Sequence, residues 1–112
     1  FDELINLLEF NEGYIEEIKN KVISFSTEED YKVLQEKLIN KISKNSSSLA
    51  LNDLLMWTFV QQKDWNSAFI QTRAIDKRLK EDGERMLDLG AILTSNYEYG
   101  WAAKAYQYIV AE

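Results

Sequence analysis

The sequence predicts an all-α protein of antiparallel helical hairpins stacked as an α-solenoid, and three observations predict it. Proline is absent and glycine occurs only at 13, 83, 90 and 100, so little interrupts the chain. Apolar residues recur at spacings of three and four almost throughout, which is the helical period and gives strands little support. Residues 51–78 also line up with residues 85–112 at an offset of 34, placing Leu55 on Leu89, Phe59 on Leu93, Asp64 on Glu98, Trp65 on Tyr99, Ala68 on Ala102 and Ile75 on Ile109. A fixed period of that length marks hairpins that bury their apolar faces by stacking, and such surfaces usually bind rather than catalyse.

A short helix over residues 4–10 is followed by Asn11-Glu12-Gly13, a turn and N-cap region. The next helix covers about residues 12–25, with Tyr14, Ile15, Ile18, Val22 and Ile23 on its buried face. Ser26-Thr27-Glu28-Glu29 reads as a capping box in which Ser26 accepts from the Glu29 N–H and the Glu29 carboxylate reaches back. That box opens a helix carrying Tyr31, Leu34, Leu38 and Ile42 inward to an end near Lys44. Asn45-Ser46-Ser47-Ser48 is then a hairpin connection.

A helix over about residues 49–62 comes next, broken at Lys63-Asp64. Asp64 is placed to cap the helix carrying Trp65, Ala68, Phe69, Thr72, Ile75 and Leu79. Asp82-Gly83 ends that helix, Gly83 taking the left-handed conformation and Lys77, Arg78 and Lys80 suiting the C-terminal dipole. The last pair covers about residues 84–95 and 98–110 around a turn at Asn96-Tyr97. Phe59, Trp65, Phe69, Tyr99 and Tyr106 fall on packing faces. Gly90, Ala68 and Ala102 stand where two backbones of a hairpin approach closely.

These residues resemble the tetratricopeptide repeat family. Its pattern is a Leu-Gly pair on a first helix, a turn, and a second helix with small and bulky residues at set places. Leu89-Gly90, Leu93, Asn96, Tyr99, Ala102 and Tyr106 follow it. The earlier copy, Leu55-Met56, Phe59, Gln62, Asp64-Trp65 and Ala68, follows it with Met56 for the glycine, Thr72 for an aromatic and Ile75 for a small residue. Ile109 departs likewise, and the closing proline is missing from both copies, so the chain is similar to a divergent member over residues 49–112. The resemblance implies a right-handed solenoid in one helical-repeat domain, with hairpins at 49–82 and 83–112. Residues 1–48 are then either irregular helices of the same solenoid or a capping hairpin.

By that resemblance the first helix of each hairpin lines a concave groove. Asp53, Leu54, Trp57, Val60 and Gln61 would face it from one hairpin, and Glu84, Leu87, Asp88, Ala91 and Thr94 from the next. Trp57 among carboxylates is either an anchor for a peptide with basic residues or a side chain packed under the preceding hairpin. Trp101 is assigned to a contact with a following hairpin. Family members that grip a terminal carboxylate use groove lysines, arginines and asparagines, where this chain has Asp53, Glu84 and Asp88.

Thirteen basic against nineteen acidic residues give a net charge of −6, which repels a phosphate backbone, so nucleic acid is not an expected partner. The basic cluster Arg73, Lys77, Arg78, Lys80 and Arg85 is read as charge near a helix C-terminus. Cysteine and histidine are both absent, which removes disulfides, thiolate nucleophiles, the usual triads and most transition-metal sites. Carboxylate pairs, Asp53 with Asp88 or Glu84 with Asp88, are the remaining catalytic material. No calcium loop, phosphate loop or nucleophile elbow accompanies them, so the chain is expected to be no enzyme and to need no cofactor or metal. No apolar run is long enough to cross a bilayer, and membrane insertion is not expected.

The start at Phe1 and the stop at Glu112, directly after a helical pattern, are read as a piece cut from a longer repeat protein, soluble in the cytoplasm or, if an export signal precedes it, the periplasm. A solenoid cut in this way is open to end-to-end self-association. The expected function is a protein–protein interaction scaffold or adaptor. The alternative is a structural or regulatory helical module supporting another domain of the parent protein, with no ligand of its own.

Overall fold

The computed structural model describes residues 2–25, 27–44, 48–80 and 82–111, the side chains of Phe25 and Leu79 excepted. The chain is all-α: α1 (Asp2–Phe10), a 3-10 turn (Glu12–Tyr14), α2 (Ile15–Phe25), α3 (Glu28–Lys44), α4 (Leu49–Gln61), α5 (Trp65–Leu79), α6 (Glu84–Ser95) and α7 (Tyr99–Ala111). No strand occurs among the described residues. None of these helices is long and apolar enough to cross a membrane. Chain contacts divide the protein into two compact units, Phe1–Lys63 and Asp64–Glu112, so the division falls inside the first of the two offset copies.

Unit 1 is gathered around α4, which touches α1, α2 and α3. That helix is apolar on all sides, and a helix of that kind is stable only when surrounded. Ala50, Leu51, Leu54 and Leu55 join Ile5, Leu8, Ile18, Val22, Leu34, Leu38 and Ile42 in one core, with Tyr14, Ile15, Tyr31, Trp57 and Phe59 packed against it. Ile23 departs from expectation and is 54% exposed. One residue beyond Val22 turns a side chain by about 100° around a helix, off the buried stripe of Ile15, Ile18 and Val22.

The α3–α4 seam holds polar groups that periodicity did not single out. Buried Gln35 donates through Nε2 to Thr58 Oγ1 at 3.2 Å and to Gln62 Oε1 at 2.6 Å, and Thr58 Oγ1 donates to the Leu55 carbonyl at 2.6 Å. These bonds satisfy side chains that would otherwise cost energy to bury. On the surface Lys37 pairs with Asp2 at 3.0 Å and Lys41 with Glu9 at 3.4 Å, tying α3 to α1.

Local capping explains most helix ends and corrects one expectation. A capping box opens α3: Thr27 Oγ1 accepts from the Asp30 N–H at 3.3 Å, and Asp30 Oδ2 accepts from the Thr27 N–H at 2.9 Å. Ser26 lies outside the described residues. Asn11, Ser48 and Asp64 act as N-caps, their side chains accepting from the N–H groups of Gly13, Leu51 and Ser67. The left-handed C-cap of α5 is Lys80, at φ 53°. Gly83 is left-handed as expected, at φ 85°, but it stands at the N-cap of α6.

The helix ends repeat with the sequence. The helices α4 and α6 end at Gln61 and Ser95, and α5 and α7 begin at Trp65 and Tyr99, each pair 34 residues apart. Between them lie Lys63 at φ 56° and Tyr97 at φ 61°, again 34 apart and both in a conformation that non-glycine residues rarely adopt. At Tyr97 the turn is a Schellman motif, with the Glu98 N–H donating to the Leu93 carbonyl at 2.9 Å and the Tyr97 N–H to the Thr94 carbonyl at 3.1 Å.

In unit 2, α6 packs against both α5 and α7. The buried residues are Trp65, Ala68, Thr72, Ile75 and Asp76 of α5, Met86, Leu89, Gly90 and Leu93 of α6, and Ala102 and Ala105 of α7. Gly90 does mark a close approach, but its neighbour is a side chain rather than a backbone. A Cβ there would lie 2.7 Å from Cε1 of Tyr106, whose ring closes over the glycine. Tyr99, expected inside, is 61% exposed at the first position of α7, directly after the turn. Its ring meets that of Tyr97 edge to face at 6.3 Å.

Candidate functional site

The expected groove residues fall in both units, and their environments differ. On α4, Leu54 is 0% exposed and belongs to the unit 1 core, so it does not line a groove. Its position between Leu51 and Leu55 puts it on the side that α4 buries. Trp57 is half-buried and packs against the same core, its ring 6.3 Å from that of Tyr31 and 5.9 Å from the Lys19 ammonium. Burial there pushes the Tyr31 hydroxyl pKa upward. Asp53 and Val60 are half-buried, and Gln61 is exposed.

On α6 the five expected residues share one solvent face. Glu84, Leu87, Asp88, Ala91 and Thr94 are all exposed, while Met86, Leu89, Gly90 and Leu93 of the same helix are buried. Spacings of three and four put both sets on opposite sides of one cylinder. Leu87 is the apolar centre of this stripe, 54% exposed between Glu84 and Asp88. Beside it, desolvation lowers the pKa of the Arg85 guanidinium, and the Asp88 carboxylate acts in the opposite sense.

Unit 2 has a second surface, between α5 and α7, that sequence reasoning missed. Phe69 meets Trp101 at a ring-centroid distance of 6.0 Å and Tyr108 at 6.5 Å. Trp101 therefore packs within its own unit. Arg73 lies 5.7 Å over the Phe69 ring and Lys104 lies 4.4 Å over Trp101. Next to the rings, Asp76 is a carboxylate only 6% exposed. Its Oδ1 accepts from the Gly83 N–H at 2.7 Å and its Oδ2 from the Tyr108 hydroxyl at 2.8 Å. A cavity of about 460 Å³ opens there, lined by Asp76, Lys77, Lys80, Asp82 and Tyr108. One sequence signal for Asp76 existed: it falls four residues after Thr72, in phase with the buried stripe of α5.

Glu84 and Asp88 are exposed on α6, and among the described residues no group of three or more Asp and Glu side chains is arranged to hold a metal ion. No protein-family model, curated protein or solved structure matches the chain.

Proposed function

We propose that the chain is a protein–protein interaction scaffold of tetratricopeptide type, with the α6 face of unit 2 as its docking stripe. The observation that carries this reading is the exposed line Glu84, Leu87, Asp88, Ala91 and Thr94 on a helix whose opposite side is buried. An exposed apolar side chain with the Glu84 and Asp88 carboxylates on the same face suits a partner segment that brings an apolar anchor and basic flanks. The recurrence of helix ends and left-handed turn residues at an offset of 34 supports the repeat reading. So does the succession of α5, α6 and α7 as neighbouring helices. Rigid presentation would lower the ordering cost of binding.

A native-lysate pull-down with mass-spectrometric identification tests this reading. A partner recovered by the wild type should fall at least tenfold with Glu84→Lys/Asp88→Lys and with Leu87→Glu. Recovery indifferent to all three substitutions would defeat the α6 assignment. The second reading, a structural or regulatory module for another domain, is favoured by one observation: Leu54 and Trp57 of α4 are engaged in the unit 1 core. It expects no partner specific to the isolated chain.

A further inference from the structure

We propose that the α5–α7 face of unit 2 is a second binding surface, which takes an extended acidic peptide segment with an apolar residue between its carboxylates. Phe69 meets Trp101, and Asp76 meets Tyr108 seven residues further along both helices, so α5 and α7 run in the same direction on either side of this surface. Half-buried Phe69, Trp101 and Tyr108 form its floor. The cavity beside Tyr108 continues it.

Charge selects the occupant. Unit 2 carries six basic residues, and four of them, Arg73, Lys77, Lys80 and Lys104, stand on the floor or the cavity, the others being Arg78 and Arg85. On a chain of net charge −6 this is a local reversal of sign, to which acidic groups are steered. Asp76 is 6% exposed and its two oxygens accept from the Gly83 N–H and the Tyr108 hydroxyl, so with Asp82 it sets two acidic side chains against the four basic ones and the surface stays net positive. Asp76 acts as a positioning residue that holds the Tyr108 hydroxyl. Asp82 is exposed at the cavity and has an oxygen to offer to a peptide N–H.

The spread of the cations argues for a peptide rather than a phosphate. From Phe69 to Lys80 the helix advances about 16 Å, at about 1.5 Å per residue. A phosphate needs convergent donors, whereas about five extended residues span that distance. Single-stranded nucleic acid stacks its bases on open ring faces. Here the rings lie at 45° and 83° to one another rather than parallel, and Lys104 covers a face of Trp101, so they do not form a stack of open faces for bases.

The test is selection of a displayed library of random 12-residue peptides on the full chain. The strongest binder is then titrated into labelled protein while the indole N–H signals are followed. Selected peptides should carry two or more Asp or Glu around an aromatic or aliphatic residue. The Trp101 signal should shift and the Trp57 signal should not. Lys77→Glu/Lys104→Glu should weaken binding at least tenfold, and Arg73→Gln should weaken it less, with helical circular dichroism unchanged in both. Raising salt from 50 to 300 mM should weaken it further.

The proposal is overturned if selection yields only basic or uncharged peptides, or nothing above an unrelated control protein. It is also overturned if an acidic peptide moves Trp57 and not Trp101, or if inorganic phosphate or a ten-nucleotide oligothymidine shifts Trp101 at lower concentration than the peptide. Basic peptides lost with Glu84→Lys/Asp88→Lys would support the α6 docking stripe while removing this second surface.

Discussion

In unit 1 an aliphatic cluster is drawn around α4 with the neutral polar groups Gln35, Asn52 and Thr58 buried beside it, whereas in unit 2 the interior is thinned by Ala68, Gly90, Ala102 and Ala105 and includes the Asp76 carboxylate. The two interiors solve the burial problem differently. Unit 1 covers a helix that is apolar all round, so its stability rests on the volume of Leu51, Leu54 and Leu55. Unit 2 sets small residues among Ile75, Met86, Leu89 and Leu93, with the Tyr106 ring closing over Gly90, so its stability also depends on no volume being added at the small positions. Helices with a narrow buried side also leave a free side, and both candidate binding surfaces lie in unit 2. The corresponding α4 positions of unit 1 are partly consumed by packing.

The sharpest way to break this contrast is Leu54→Ala, which should cost about 2–5 kcal/mol through lost burial and the cavity left behind. A denaturation midpoint close to wild type would mean that α4 is not the centre of its unit. Asp76→Ala should cost about 1–3 kcal/mol, because the Gly83 N–H and the Tyr108 hydroxyl lose their acceptor. Thermal melting checks this, and the same variant should alter the Trp101 environment in fluorescence by freeing Tyr108.

Adding volume tests the opposite side of the comparison. Ala102→Leu, at a buried position in α7, should overpack unit 2 and cost about 1–3 kcal/mol. An unchanged urea midpoint would remove the close-approach argument.

The smallest effect concerns acid stability. A hydrogen bond from Lys37, and then its charge, hold the Asp2 carboxyl below the usual carboxylate range. A folded-state pKa that is depressed contributes stability above the unfolded value, and that stability is lost as pH falls through the folded value. Carboxyl chemical shifts should therefore place the Asp2 midpoint low, Lys37→Ala should return it to the ordinary range, and high salt should do much of the same because the pair is exposed. A midpoint indifferent to Lys37→Ala would show that the α1–α3 pairing does not persist in solution.

Local rules made most of the fold legible. The α6 helix falls at residues 84–95 as expected, and the ends of α4 and α5 fall within two residues of expectation, because caps and turns act over three or four residues. At the start of α3, Thr27 with Asp30 supplies the same chemistry that Ser26 with Glu29 offers in the sequence. Of the expected site, the common side of the five α6 residues follows from their spacing, whereas their assignment to a groove rests on the resemblance. The burial of Leu54 was not legible, because a helix apolar on every side gives no phase to say which side faces a neighbour.

By itself, then, the sequence determined that the chain is helical, where most of its helices lie to within a few residues, and that residues 51–78 and 85–112 align at an offset of 34. Only the tertiary structure decided that the compact units divide after Lys63, that Gln35 is buried against Thr58, and that Phe69, Asp76, Trp101 and Tyr108 share a surface. The partners in these contacts, Gln35 with Thr58, Phe69 with Trp101 and Asp76 with Tyr108, are each more than twenty positions apart. Local spacing carries no information about which of several compatible faces meet, and the choice is made by the apolar area and buried hydrogen bonds that each pairing satisfies.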